Sequence, residues 1–287
     1  LINIQFAYVS ENLFVIEANP RASRTVPFVS KATGVQLAKA AVMIGLGKSI
    51  AELKAEGYLP DSMDGASLPQ DTAIAVKAAV LPFSRFRTPE GVVVDSLLSP
   101  EMRSTGEVMG LDTHYDTAFA KAQAGAGSPL PTEGKVFVSV ANHDKRNVII
   151  YAKMLEQLGF EIVSTGGTAD VLRRNGVNST VASKFAEANG QHSIVDMVRN
   201  GEIDLILNTP AGGAARSDGY EIRAAAVSVG CPVMTTISEF AAAVQAITAL
   251  REHSWGIISL QEHNEYLHTA SSGEQEDSNQ VREGELS

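Results

Sequence analysis

Gln5, Glu17, Asn19, Arg21 and Arg24 bring carboxamides, a carboxylate and guanidinium groups together near the start of the chain. Hard divalent cations take oxygen ligands, and Mg²⁺ usually accepts one or two from protein and the rest from water and phosphate. Gln5, Glu17 and Asn19 form such a partial set. Arg21 and Arg24 can neutralise phosphate charge in a transition state. A solvated strand face with one ordinary ion pair fits the same residue types equally well. A second group lies past the middle of the chain: Lys145 in ANHDKRN, Thr165, Gly167 and Thr168 in STGGT, Lys184 in VASKF, Asn208 and Thr209 opening NTPAGG, and the pair Thr235-Thr236. Hydroxyls and glycine amides at a helix start make an anion site, because the first helical N–H groups have no partner within the helix. A Gly-Gly turn alone is more often just a turn; several such loops at one sheet edge are a stronger sign.

The elements that position these groups follow from periodicity. Ile2, Ile4, Phe6 and Tyr8 alternate with polar Asn3 and Gln5, which predicts a half-buried strand over 2–8. Ser10-Glu11-Asn12 reads as a three-residue turn with Asn12 left-handed, followed by a strand over 13–17. If Val9 faces Leu13, then Gln5 faces Glu17 and Asn3 faces Asn19, roughly 5 Å apart on one face. Helices are predicted over 35–43 and 50–56, strands over 72–81 and 91–96, a polar structured loop over 99–110 and a helix over 115–124. AGAGSPLPTEG, 124–134, has the composition of a linker.

Beyond it, strands at 135–140, 161–164, 204–207 and 233–235, with a weaker one near Thr180, alternate with helices at 147–158, 169–175, 193–200, 220–228 and 239–250. That alternation predicts a parallel sheet with helices on both faces, and the candidate loops then sit at the C-terminal strand ends. The final residues are acidic, polar and expected to be disordered.

The chain has 287 residues, 44% hydrophobic and 20% charged, enough for two ordinary domains. A net charge of −10 argues against a broad surface for nucleic acid or anionic membrane, while a local basic pocket remains compatible with it. Cys231 is the only cysteine, so there is no disulfide framework, which fits a reducing cytoplasm. No apolar run approaches the roughly 18 residues of a membrane span. The chain starts without Met and inside a strand pattern, as expected of a piece of a longer protein.

NIQFA followed by VIEANPRASRTVPFVSKATG closely resembles the end of the ATP-grasp fold in the large subunit of carbamoyl phosphate synthetase, in its second, carbamate-phosphorylating half. SPEMRSTGEVMG matches the stretch that closes the same half, and the region from Lys135 onward resembles the regulatory methylglyoxal-synthase-like domain that ends those subunits. The resemblance covers nearly the whole chain apart from the tail. It implies an α/β architecture: an incomplete ATP-grasp portion over 1–123, a linker over 124–134, a doubly wound methylglyoxal-synthase-like domain over 135–268 and an acidic tail over 269–287.

By the same resemblance, Gln5, Glu17 and Asn19 bind the Mg²⁺ or Mn²⁺ ions that bridge the ATP phosphates, Arg21 contacts those phosphates as a catalytic residue, and Arg24 supports it. Lys145, Thr165, Gly167, Thr168, Lys184, Asn208 and Thr209 hold a nucleotide effector, uridine or inosine monophosphate in the known bacterial enzymes. The parent, a cytoplasmic hetero-oligomer with a glutamine amidotransferase small subunit, makes carbamoyl phosphate from bicarbonate, glutamine-derived ammonia and ATP for pyrimidine and arginine biosynthesis. The residues that clamp ATP from the other side belong to the part of the parent that precedes this sequence, so the chain alone is expected to be inactive.

Departures from the family pattern qualify the expectation. Pro210 stands where a second hydroxyl residue is common. Ala78 stands where ornithine-activated members carry Glu, so a cationic amine loses a charge partner, although Thr235 matches another residue of that site. A methylglyoxal synthase needs a carboxylate base, but the corresponding NGQHSIVD stretch offers Gln191 or His192, and Ala215 replaces a His. Two other readings are a stand-alone nucleotide-binding module and a different ATP-grasp enzyme such as a carboxylase. A pure sensor has no use for the metal-binding hairpin, and a carboxylase none for the trailing phosphate-sensing domain.

Overall fold

The computed structural model describes residues 1–60, 73–86, 94–98, 101–183, 193–210, 212–252 and 255–271, the side chains of 212–218 and 266–271 excepted. Lys184, Gln191, His192 and the tail from 272 lie outside the described residues, as does the 91–93 part of the strand expected over 91–96. Val94, Asp95 and Ser96 are not in a strand. The chain forms two compact units, one of Leu1–Ala73 with Gly256–Ser287 and the other of Ile74–Trp255.

The first unit begins with a hairpin of β1 (Asn3–Val9) and β2 (Asn12–Asn19). Its turn differs from the expected one. Ser10 and Glu11 are the residues with positive φ, at 50° and 63°, and Asn12 pairs with Val9 instead of joining the turn. Two-residue turns with both central residues left-handed match the twist of paired strands, which favours them over a looser loop. Asn12 still contributes, donating its side-chain N–H to the Ser10 carbonyl at 2.9 Å. The offset this introduces is removed by a bulge: Phe6 faces Val15 and Gln5 faces Glu17, so Ile16 is the extra residue. Past the bulge the expected register returns, with Asn3 opposite Asn19.

Helices α1 (Thr25–Thr33), α2 (Leu37–Gly45) and α3 (Ile50–Ala55) follow. Helix α1 was not expected, because its Thr, Val and Pro residues lower helix propensity. Pro27 lies in the first turn, where proline is tolerated, and Gly34 closes the helix at φ 72°. Ser49 and Glu52 form a reciprocal capping box on α3.

The second unit opens with the antiparallel pair β3 (Ile74–Val80) and β4 (Gly106–Asp112), followed by α4 (Tyr115–Gly125). The later half of the expected 99–110 loop is therefore a strand. Val108 is its apolar, β-branched residue, and Gly110 is there for contact with α4. A Cβ on Gly110 would lie 1.9 Å from the Ala118 carbonyl oxygen and 2.6 Å from the Ala122 nitrogen. Asp112 and Lys121 join the same two elements at 2.7 Å. Burial raises the Asp112 pKa, but the bonds from Lys121, the His114 N–H and Thr113 outweigh that and hold it below its ordinary value.

The sheet proper alternates strands and helices: β5 (Lys135–Ser139), α5 (Val148–Gln157), β6 (Glu161–Ser164), α6 (Gly166–Arg174), β7 (Thr180–Val181), α7 (Ile194–Arg199), β8 (Leu205–Asn208), α8 (Gly212–Val229), β9 (Val233–Met234) and α9 (Ile237–Glu252). All its pairings are parallel, in the order β7-β6-β5-β8-β9. Side-chain alternation splits the core across the sheet. Val136, Val138, Ile162, Leu205 and Leu207 pack with residues of α4, α5 and α9, whereas Phe137, Val163 and Ile206 pack with α7 and α8. Leu130 and Phe119 belong to the first of these cores, so the 124–134 stretch runs inside one compact unit instead of between two. A helix α10 (Leu260–Ser271), absent from the expectation, completes the first unit and touches α1.

The backbone contact at Gly110 sets a stability test. Gly110→Ala is expected to cost about 3 kcal/mol in urea denaturation, since neither Ala118 nor Ala122 can move its backbone without disturbing α4. Gly125→Ala, whose Cβ meets Val108 at an ordinary 3.5 Å, should be close to neutral. Equal effects at the two positions would refute the close-approach argument.

Candidate functional site

The first candidate lies on the hairpin. Gln5 and Glu17 are direct cross-strand partners, and Asn19 is two residues along the same face. Asn19 donates its side-chain N–H to Glu17, which leaves the Asn19 amide oxygen directed elsewhere. The face thus offers one carboxylate and two amide oxygens. That donor set fits a hard cation that completes its shell with phosphate and water oxygens. Among the described residues no group of three His, Cys, Asp or Glu could hold a metal without such help. Arg21 is exposed just past the strand end, where its N–H returns to the Asn19 carbonyl at 2.8 Å and its guanidinium makes only a long 3.5 Å contact with the Ala22 carbonyl. Arg24 caps the start of α1 without a side-chain cap bond. The guanidinium groups are thus not committed to a carboxylate among the described residues.

The second candidate lies at the C-terminal edge of the parallel sheet. Strand order reverses between β5 and β8, so the connections that follow them run to opposite sides and leave a crevice outside the paired strand ends, the usual ligand position of open α/β sheets. Ser139 and Asn208 are neighbours in the ladder at its foot. Thr165 leads into α6, and Gly166 and Gly167 begin that helix. Lys145 comes over the same turn: a Cβ on Gly167 would sit 3.0 Å from its Nζ. Among the described residues Lys145 has no carboxylate partner. The Thr165 hydroxyl shares long contacts of 3.4 Å with Ser139 and Thr168, weak enough to be exchanged for a ligand oxygen. An ammonium, hydroxyls and free helical amides therefore converge, which is the chemistry of an anion site.

Other expected members already have internal work. Thr209 is buried; its N–H donates to the Ser139 carbonyl at 3.2 Å and its hydroxyl oxygen accepts the Ala141 N–H at 2.8 Å. The Asn208 side-chain oxygen accepts from Arg223 Nη1 at 2.7 Å. Arg223 has no exposed surface, and its Nε and Nη2 grip the Asp95 carboxylate at 2.8 and 2.7 Å. Neither Arg223 nor Asp95 was picked out from sequence. A signal did exist, since Arg223 sits beside Ile222 and one helical turn from Ala226, a cation amid an apolar stripe.

Thr235 and Thr236 serve α9. The Thr236 hydroxyl accepts the Glu239 N–H, and the Glu239 carboxylate accepts the Thr235 N–H, each at 3.2 Å. Burial raises the Glu239 pKa against the lowering effect of that N–H. Cys231 is a packing residue: burial, then Asp204, pushes its thiol up to about 12, so it is no thiolate at neutral pH. An open cavity of about 430 Å³ lies away from the crevice, near the start of β6, where Arg173 and Glu156 are bonded to Ser179 and Asn178.

Comparison with known proteins agrees with this division. Residues 2–53 match the family described as "Carbamoyl-phosphate synthase L chain, ATP binding domain", and residues 147–235 match "MGS-like domain". The class is therefore an α/β protein that joins part of an ATP-binding domain to an MGS-like domain. Relatives span nearly the whole chain. The carbamoyl phosphate synthase large chain of Kocuria rhizophila is 67% identical over 269 residues, 93% of this chain and 24% of that protein. Those of Pseudarthrobacter chlorophenolicus and Streptomyces coelicolor are 68% and 57% identical over 92% and 93% of this chain. The chain belongs to the carbamoyl phosphate synthase large-chain family. It spans about a quarter of the length of these relatives. Among the described residues no helix is long and apolar enough to cross a membrane.

Glu239 yields a pH prediction. Its folded pKa is raised, so its contribution to stability is fully present below the unfolded carboxylate pKa and is lost as pH rises through the folded value. Glu239→Gln, which keeps an acceptor for Thr235, should gain thermal stability relative to the wild type as pH rises from the ordinary carboxylate range toward neutrality. A difference that does not change with pH would contradict the assignment.

Proposed function

We propose that this chain carries the closing elements of the carbamate-phosphorylating site of a carbamoyl phosphate synthase, together with an effector domain that regulates it. The observation that carries the regulatory part is the approach of Lys145 Nζ to the Gly167 turn, beside Thr165 and Thr168 at the switch point of the sheet. A nucleotide monophosphate suits that crevice: its phosphate meets the ammonium, hydroxyls and helix start, and its nucleoside lies along the strand ends toward Asn208. Lys184 joins the effector set by family resemblance. Uridine and inosine monophosphate are the effectors we assign. Ala78, paired with Val108 in β3–β4, leaves an ornithine amine without a carboxylate at that position.

In the hairpin, Gln5, Glu17 and Asn19 would hold Mg²⁺ or Mn²⁺. When bound, these ions neutralise and bridge the ATP phosphates. Arg21, exposed past the end of β2, would contact the phosphate being transferred, with Arg24 in support. The hairpin also exposes Phe6, Tyr8, Leu13, Val15 and Ile16, apolar surface that the larger ATP-binding domain of a full-length large chain would cover. On this reading the parent is a cytoplasmic, glutamine-hydrolysing ligase that uses bicarbonate, ammonia and ATP, works with a glutamine amidotransferase small subunit, and serves pyrimidine and arginine synthesis. Effector and ATP affinities would shift each other by the same factor, as linkage requires.

Calorimetric titration of the 287-residue chain with uridine and inosine monophosphate tests the effector assignment. Lys145→Ala should weaken binding at least tenfold, about the loss of one charge-assisted phosphate contact. Undiminished binding in that variant would remove the crevice from the proposal. The chain by itself should show no Mg²⁺-dependent ATP turnover, because the groups that clamp ATP from the other side are not in it.

A further inference from the structure

Arg223 is a fully buried cation whose bonds run in opposite directions, to the Asp95 carboxylate through Nε and Nη2 and to the Asn208 carboxamide through Nη1. A guanidinium only donates, so its neighbour must present an oxygen. The Asn208 carboxamide is thereby held with Oδ1 toward Arg223, and its Nδ2 is left as the end that a ligand can meet. Asp95 fixes Arg223 in turn, since a two-pronged carboxylate grip allows little rotation. A second feature keeps room for this arrangement. A Cβ on Gly219 of α8 would sit 2.3 Å from Arg223 Nη1 and 2.6 Å from Asn208 Oδ1. The helix is bare at the one point where any side chain would push these two groups apart.

We propose that Asp95 and Arg223 are positioning residues that hold Asn208 as a hydrogen-bond donor to an anionic ligand in the crevice, and that they couple ligand occupancy to the connection between β3 and β4, where Asp95 lies. The proposal rests on the crevice being an effector site. A ligand that draws on Asn208 loads the Arg223 bond and hence Asp95. A displacement of Asp95 removes its two-pronged hold on Arg223 and lets the carboxamide turn. Binding energy at the crevice and the placement of Asp95 are then reciprocally linked.

The test is a double-mutant cycle on the 287-residue chain, with uridine monophosphate and inorganic phosphate as probes in calorimetry. Asp95→Asn should weaken nucleotide binding about five- to tenfold. In an Asn208→Ala background it should have almost no further effect, and Asp95→Glu should restore part of the loss. Gly219→Ala, which keeps all three side chains and favours helix, should weaken binding to a similar degree; it carries the same test if Asp95→Asn does not fold. Equal losses from Asp95→Asn with and without Asn208 would overturn the proposal and leave the effector site standing. A wild-type chain that binds neither probe would overturn both.

Discussion

Burial on both faces of the parallel sheet is the constraint on which the second unit depends. Val136, Phe137 and Val138 in β5, and Leu205, Ile206 and Leu207 in β8, are wholly inaccessible, whichever face they point to. A strand in that position has no place for a polar side chain along its length. Polar chemistry is pushed to the strand ends, and at the C-terminal ends it meets the starts of the following helices. Ser139, Ser164, Thr165, Asn208 and Thr209 all lie there, and most of their hydrogen bonds are to one another or to the loops they hold.

The same constraint gives Arg223 its meaning. An unpaired guanidinium at full burial would be strongly destabilising, and removing one partner of such a pair is worse than never having had it. Arg223 is acceptable because Asp95 neutralises it and the Asn208 oxygen accepts from its Nη1. That pairing ties α8, the end of β8 and the segment around Asp95 into one polar cluster within an otherwise apolar unit. In the hairpin the balance is reversed. Gln5 and Glu17 are exposed, their pairing is local, and their value lies in what they offer to a ligand.

The hairpin also shows how a reading of sequence can reach the right pairs by an inexact route. A three-residue turn with Asn12 left-handed gives Gln5 opposite Glu17. The structure has a two-residue turn at Ser10-Glu11 and an extra residue at Ile16, and the two one-residue offsets cancel before the functional face. Turn type depends on local backbone energetics that several residues satisfy, whereas a bulge depends on what the strand must bend around. Neither leaves a clear mark in an alternating pattern. The missed helix α1 has a similar cause, since Val26, Pro27 and Val29 look strand-like or helix-breaking until Pro27 is placed in a first turn and Gly34 at the end.

Sequence by itself determined the alternation of strands and helices from Lys135 onward, the parallel sheet, the loops at its C-terminal edge and the hairpin with Gln5, Glu17 and Asn19, because period-two and helical patterns and glycine-rich turns are written locally. The family followed from motifs quoted along the chain. Tertiary structure decided what depends on approach between distant segments. It made Gly106–Gly110 a strand under α4, buried Leu130 of the 124–134 stretch in the core, and joined Asp95 to Arg223. Nothing local distinguishes Asp95 from a surface charge, and the apolar stripe around Arg223 does not say what it meets. Their roles come from a contact 128 positions apart in the chain, where burial turns an ordinary ion pair into the support of a binding residue.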